Sequence, residues 1–218
     1  MKILAVSDQV VDRIYELIPQ GHFEGIKMVL GCGDLPYEYL EYMVTLMNVP
    51  VFYVPGNHDP AYQPDLNVGH AAGCSNVDLR TARYQDVLLA GVGGSVRYRP
   101  VAVNQHTQGE AFLRVARLVP ALLRNRQRYG RALDILISHS PPFGIHDDDS
   151  SAHRGLKAIN WLLKWAKPRF HLHGHLHDRR RNLKPAITWL GTTAVMNVFP
   201  HRTVEFPDDG LPGRQSQL

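Results

Sequence analysis

The sequence predicts an α/β fold in which two β-sheets pack face to face with helices on the outside. Three observations point there. The first sixty residues alternate strand and helix patterns, the stretch after Phe170 is rich in short strands with few helical signals, and five short polar motifs each follow directly on an apolar run. Strands alternating with helices pair in parallel and are covered by those helices, and short apolar runs closed by turn residues read as buried strands.

Taken in order, Lys2 to Ser7 reads as a strand, Asp12 to Ile18 as a short helix and Lys27 to Cys32 as a second strand. Tyr37 to Met47 follows as a helix and Val49 to Val54 as a third strand. A loop rich in Pro, Asn, Gly and Ser runs from Pro60 to Asn76, and Asp86 to Val92 is a further strand closed by the Gly93-Gly94 turn. Gly109 to Tyr129 has a helical pattern that Pro120 should kink or split, since proline lacks the N–H a helix interior needs. Leu133 to Ser138 is a strand, Ser140 to Arg154 a polar loop, and Leu156 to Ala166 a helix stopped before Pro168. Short strands follow at Ala186 to Leu190, Ala194 to Val198 and Thr203 to Phe206. One domain over residues 1–206 is expected, followed by a polar tail, Pro207 to Leu218, expected to be disordered.

Composition excludes several function classes. With 44% apolar and 20% charged residues and no apolar run long enough to cross a bilayer, the chain reads as a soluble globular protein. Met1-Lys2-Ile3-Leu4 leads straight into a strand, which argues against a secretory leader, and the two cysteines, Cys32 and Cys74, make no disulfide framework. A cytoplasmic location is the expectation. A net charge of +4 suits an anionic substrate without demanding nucleic acid.

The five motifs carry the chemistry. They are Asp8 within Val6-Ser7-Asp8-Gln9-Val10, Gly33-Asp34, Gly56-Asn57-His58-Asp59, His139 before Ser140-Pro141-Pro142, and Gly174-His175-Leu176-His177. Carboxylates, an asparagine and histidines placed just past strand ends converge on one sheet edge, where open α/β sheets bind ligands. They are the raw material of a two-metal hydrolytic site.

In their order and spacing these motifs resemble the calcineurin-like metallophosphoesterase superfamily, over roughly residues 1 to 200. The resemblance implies a four-layer αββα sandwich of two mixed β-sheets flanked by helices, and a dinuclear metal site. By it, Asp34 bridges the two ions, Asp8 and His177 complete one site, and Asn57, His139 and His175 complete the other. This mixed oxygen and imidazole set suits two divalent transition ions (Mn, Fe, Zn, Co or Ni, with manganese favoured) better than all-oxygen magnesium. The implied activity is hydrolysis of a phosphate mono- or diester by attack of a metal-bound hydroxide. His58 stays off the metal and protonates the leaving oxygen; Asp59 beside it reads equally as a turn residue.

One position departs from the pattern. The first motif of the family is D-x-H, and this chain has Val10 where the histidine would stand. Valine offers no donor, so three outcomes are open: a water in its place with weaker affinity and partial occupancy, a substitute such as Gln9 or Asp12, or a mononuclear site. Asp12 reads better as a carboxylate at a helix N-terminus.

The polar loop after His139 suggests substrate contacts from His146 and His153. His173 reads as a core or supporting histidine that shares a strand face with His175. Arg179-Arg180-Arg181 and the arginines of 114–131 read as solvated surface, Tyr37, Tyr39 and Tyr42 as helix packing, and Phe112 and Trp161 as core. Against a small-molecule phosphoesterase stand two rivals: a binding or scaffold protein that lost catalysis, for which Val10 speaks, and a metal-dependent nuclease using the arginines.

Overall fold

The computed structural model describes residues 1–61, 63, 69–177 and 187–207. The elements in chain order are β1 (Lys2–Val6), α1 (Asp12–Leu17), β2 (Ile26–Gly31), α2 (Tyr37–Met47), β3 (Val51–Tyr53), β4 (Ser75–Asn76), β5 (Thr81–Tyr84), β6 (Val87–Val92), β7 (Ser95–Val96) and β8 (Gln105–His106). They continue with α3 (Gln108–Ala116), α4 (Val119–Tyr129), β9 (Ile135–Ser138), α5 (Lys157–Ala166), β10 (Phe170–His173), β11 (Ile187–Leu190), β12 (Thr193–Asn197) and β13 (His201–Glu205).

Among the described residues the strands form two large mixed sheets and a two-stranded β7-β8 pair. In the first sheet, ordered β13-β1-β2-β3-β4, strands β1 to β4 run parallel and β13 closes the edge antiparallel to β1. In the second, ordered β11-β12-β10-β9-β6-β5, the central β12, β10, β9 and β6 are parallel and both edge strands are antiparallel.

Side-chain alternation along these strands builds the layers. Ile3, Ala5, Met28, Leu30, Ile135, Ile137 and Leu172 meet in one apolar cluster between the sheets. The residues between them point outward. Leu4, Val6 and Val29 pack with Ile14, Tyr39, Leu40 and Met43 of α1 and α2, while Leu136 packs with Val115, Leu122, Ile159 and Leu162 of α3, α4 and α5. Because both faces of the central strands are covered, β3 and β6 read as unbroken apolar runs, while β10 alternates Phe170 and Leu172 with buried His171 and His173. Each Leu, Ile, Val or Met side chain so buried stabilises the fold by about 1.5–3 kcal/mol.

The helical stretch around Pro120 divides into α3 and α4. Thr107 and Glu110 form a capping box at the start of α3, and Pro120 falls in the first turn of α4, where no N–H is missed. Gly130, at φ 74°, ends α4. The split leaves the arginines on two helices. Arg114 pairs with Asp78 at 2.8 Å, and Arg131, beyond α4, pairs with Asp134 at 2.6 Å. Tyr39 is fully buried, with Tyr37 and Tyr42 packed around it. Phe112 and Trp161, expected in the core, are instead 41% and 39% exposed, because α3 and α5 turn other faces, with Ala111, Val115 and Leu162, to the sheet. The 179–181 arginines and the tail from 208 onward lie outside the described residues. Among the described residues, no helix is long and apolar enough to cross a membrane.

Candidate metal centre

The polar motifs lie at the C-terminal ends of parallel strands of both sheets: Asp8 after β1, Asp34 after β2, Asn57 after β3, His139 after β9, and His175 and His177 after β10. The turns that carry them are strained and tightly opposed. Asp8 (φ 63°), Asp34 (φ 54°) and His175 (φ 71°) all adopt the left-handed conformation that L-residues avoid. Such strain persists where surrounding structure imposes it, and it concentrates at functional sites. Two glycines let the turns approach. A Cβ at Gly56 would run into the Asp34 carboxylate, and one at Gly174 into Ser7 Oγ and Asp8 Oδ2.

Side-chain atoms of Asp8, Asp34 and His139 lie within 4.8 Å of one another. His139, fully buried, is the hub. Its Nδ1 donates to the Cys32 carbonyl (2.9 Å), so Nε2 is the atom turned inward, 2.9 Å from Asn57 Oδ1, 3.3 Å from Asp34 Oδ2 and 3.0 Å from His175 Nδ1. His175 is fixed in the same manner. Its Nε2 donates to the Ala152 carbonyl (2.7 Å), which leaves the Nδ1 lone pair facing His139. Asn57 Nδ2 donates to the Tyr98 hydroxyl (3.2 Å) and so presents Oδ1 to the cluster. Asp34 Oδ1 accepts the His58 amide N–H (2.8 Å), leaving Oδ2 for the cluster. Asp8 accepts from Ser7 Oγ (2.5 Å) and from the His175 amide, and its Oδ1 lies 3.3 Å from His177 Nε2.

Asp8, Asp34, Asn57, His139 and His175 therefore each have polar atoms held by the protein and one facing a neighbour in the cluster, the arrangement by which supporting hydrogen bonds orient metal ligands. Oxygen and nitrogen acceptors so close together need a positive charge between them. In the metal-free chain a proton serves: burial alone would lower the His139 pKa, but the Asp34 carboxylate raises it to about 9. Burial likewise works against Asp34 ionisation, yet the adjacent His139 charge brings its pKa down to about 2. A divalent cation would take the proton's place, and the donor set fits one.

The two ends of the cluster differ. The His177 side chain is 48% exposed, with its ring stacked on Phe199. Val10 packs in part against the α1–α2 cluster and adds no donor. Gln9 is exposed. Asp12, also exposed, opens α1 as its first residue and lies outside the Asp8, Asp34 and His139 group.

His58 is exposed beside a cleft of about 390 Å³ lined by Pro36, Tyr37, Glu38 and Pro60 together with Asp34 and Asp59. Asp59 braces two ligand turns, its Oδ2 accepting the amides of Asp34 (3.0 Å) and Gly56 (2.7 Å). His153, partly exposed, lies beside His175. Its ring centroid is 5.3 Å from that of His175, and its Nδ1 lies 2.9 Å from Ser150 Oγ. His146 is engaged elsewhere, with one ring nitrogen on His173 and the other on Thr188. The strand alternation expected to align His173 with His175 stops at His173, the last residue of β10, because His175 turns to φ 71°.

Sequence reasoning did not reach Tyr98, Ala152 or the Cys32 carbonyl, which fix the ligand tautomers and the asparagine amide. Tyr98 is forty-one residues from Asn57 and sits in no motif. Ser7, adjacent to Asp8, was the one supporting partner that proximity in sequence could have revealed.

The calcineurin-like phosphoesterase profile matches residues 1–179. The chain belongs to that family. Membership points to a hydrolase of phosphate esters, the family is typically dependent on two metal ions, and the Asp8, Asp34 and His139 group is a possible metal cluster. The chain is 28% identical to the uncharacterized protein MJ1162 of Methanocaldococcus jannaschii, with 92% of this chain and 88% of that one covered. Among solved structures, the protein TT1561 of Thermus thermophilus superposes with a TM-score of 0.59 at 17% identity, covering 90% of this chain and 88% of that one. Another superposes at 0.63 and 14% identity, covering 93% and 94%. These likenesses establish the fold: two mixed sheets flanked by helices, as the family resemblance implied.

Proposed function

We propose that this chain is a metal-dependent phosphoesterase acting on a small phosphate mono- or diester. The observation that carries the reading is the convergence of inward-facing acceptors, His139 Nε2, His175 Nδ1, Asn57 Oδ1 and Asp34 Oδ2, each with its other polar atom held by the protein. Asn57, His139 and His175 would hold one ion, Asp8 and His177 the other, with Asp34 shared between them. Two divalent ions bound there would supply charge neutralisation on the phosphoryl oxygens and a water with its pKa lowered toward about 7.

The protein's own part is positioning. His139 and His175, buried and fixed in one tautomer, keep bulk water away from the closed side of the cluster. The His58 backbone is tied to Asp34, so its exposed imidazole stands beside the cleft in reach of a leaving-group oxygen, to which it delivers a proton. The Pro36, Tyr37 and Pro60 walls of the cleft would receive the leaving group. His153, next to His175, is the remaining candidate for substrate contact; His146, with both nitrogens engaged, is not.

Hydrolysis of bis-p-nitrophenyl phosphate and p-nitrophenyl phosphate with Mn(II), compared between wild type and Asp34→Asn, tests the reading. Turnover that requires the metal and disappears in the variant supports it; no turnover with any transition metal rejects it. The second reading, a scaffold that has lost catalysis, draws on Val10 alone and would then take its place.

A further inference from the structure

Behind the metal centre lies a row of histidines that the motifs do not account for. His173 is fully buried, and its Nδ1 is 3.0 Å from the Gly174 carbonyl, which can only accept, so Nδ1 carries the proton. A fully buried imidazole whose second nitrogen faces another imidazole is held in its neutral form, so Nε2 is an acceptor. His146 Nδ1, 2.9 Å away, must therefore donate to it, and His146 Nε2 in turn accepts from the Thr188 hydroxyl at 2.8 Å. Every proton in this row points the same way: from Thr188 to His146, from His146 to His173, and from His173 to the Gly174 carbonyl.

The row ends on a peptide unit that matters. The amide N–H of that same Gly174–His175 peptide donates to both Asp8 oxygens, at 2.9 and 3.1 Å. A hydrogen bond accepted by a carbonyl strengthens the N–H of its own peptide as a donor. The pull that begins at Thr188 thus arrives at Asp8.

The same histidine also seats the loop that holds His175. Residues 143–155 close on themselves where Pro142 bridges Leu156, and Gly155, whose amide donates to Asp147 Oδ2 at 3.0 Å, has no room for a Cβ against the Pro142 carbonyl. At the far side the loop brings the Ala152 carbonyl to His175 Nε2. His146 sits in the left-handed conformation, φ 56°, one that a non-glycine residue keeps when its side chain is well anchored.

We propose that His146 is a positioning residue for the metal centre. Through His173 and the 174–175 peptide it orients the Asp8 carboxylate, and by seating the loop it keeps the Ala152 carbonyl on His175. The proposal rests on the phosphoesterase reading only for what Asp8 and His175 hold.

The test uses His146→Leu, which removes both hydrogen bonds, and His146→Asn, which keeps a donor at the position of Nδ1 and tolerates positive φ. In the metal-free full-length protein, ring nitrogen NMR should find the His173 proton on Nδ1 and that of His175 on Nε2. The His175 amide proton should move upfield in His146→Leu and return in His146→Asn. Mn(II) affinity, read by electron paramagnetic resonance of the free ion, should fall about tenfold to a hundredfold in His146→Leu, the range for losing a ligand's supporting partner, and recover in His146→Asn.

A His173 proton on Nε2, or a folded His146→Leu with wild-type His175 amide shift and Mn(II) affinity, overturns the proposal. If His146→Leu does not fold, Thr188→Val carries the test. It should shift the His175 amide in the same direction and by less, and an unmoved amide overturns the proposal. A wild-type protein that binds none of Mn(II), Fe(II), Zn(II), Co(II) or Ni(II) but shows these tautomers and amide shifts would sustain the positioning network and reject the phosphoesterase reading instead.

Discussion

The His139 end and the Asp8–His177 end of the cluster are built on different terms. At the first, the side chains are buried and each donor has one atom tied to a named protein group: Cys32, Ala152 or Tyr98. At the second, Asp8 is well held by Ser7 and the His175 amide, but its imidazole partner, His177, is half exposed and rests on Phe199. At the sequence position where the resemblance expects a further nitrogen donor, this chain has Val10. A site assembled before its ion arrives loses less freedom on binding than one that must order side chains. The two ends should therefore differ in affinity, with the His139 end filling first.

Asp34→Asn gives the largest expected effect, because the proposed site shares this residue between its two ends. Calorimetric titration should show both binding events weakened together, with turnover at background; one intact event would break the idea of a shared carboxylate. His139→Ala against His177→Ala comes next. The former should remove the tight event and the latter only the weak one, so that His177→Ala regains activity at high Mn(II) and His139→Ala does not. Loss of the tight event in both would make the site one cooperative unit.

His58→Ala should lower kcat by about a hundredfold to ten-thousandfold, the usual weight of a general acid, while both binding events stay as in wild type. Unchanged kcat would remove the leaving-group role. Val10→His sharpens the comparison from the other direction. It should tighten the weak event by about tenfold, roughly 1.4 kcal/mol, at some loss of packing against α1 and α2.

A pH effect away from the cluster is the smallest and serves as a reference. Burial first, and then the nearby Arg114 charge, lower the His106 pKa to about 4, below its ordinary value near 6.5. The fold therefore favours neutral His106. Its contribution is complete above pH 6.5 and is lost as pH falls toward 4, since the unfolded chain takes up the proton first. In urea titrations His106→Gln should flatten the acid limb of stability by no more than one proton, leaving metal binding unaltered.

The comparison also explains what was legible in the sequence. Asp8, Asp34, Asn57, His139, His175 and His177 stood out because each follows an apolar strand, and strand ends of an α/β sheet share an edge. Their environments did not. Tyr98 reaches Asn57, and Ala152 reaches His175, through tertiary packing that leaves no local pattern. The left-handed turns at Asp8, Asp34 and His175 were equally silent, since aspartate and histidine do not announce positive φ as glycine does. In the fold, the inner strands were plain from their apolar runs. Half-exposed β5 and the two-residue β4, β7 and β8 lack such runs, and nothing in their composition separates them from loop. His146 stood out as polar loop chemistry, but its position on His173 and Thr188 depends on strands that a sequence does not juxtapose.

The strand ends that supply the cluster belong to different layers. Asp8, Asp34 and Asn57 hang from one sheet, His139, His175 and His177 from the other, and between the sheets lies an apolar seam. An ion gripped by both sets would act as a clasp across that seam. Separating the layers would then require releasing the ion, and at a free concentration one hundred times its dissociation constant that adds about 2.7 kcal/mol to the work of unfolding. The metal would thereby decide how far the two halves of the sandwich can come apart.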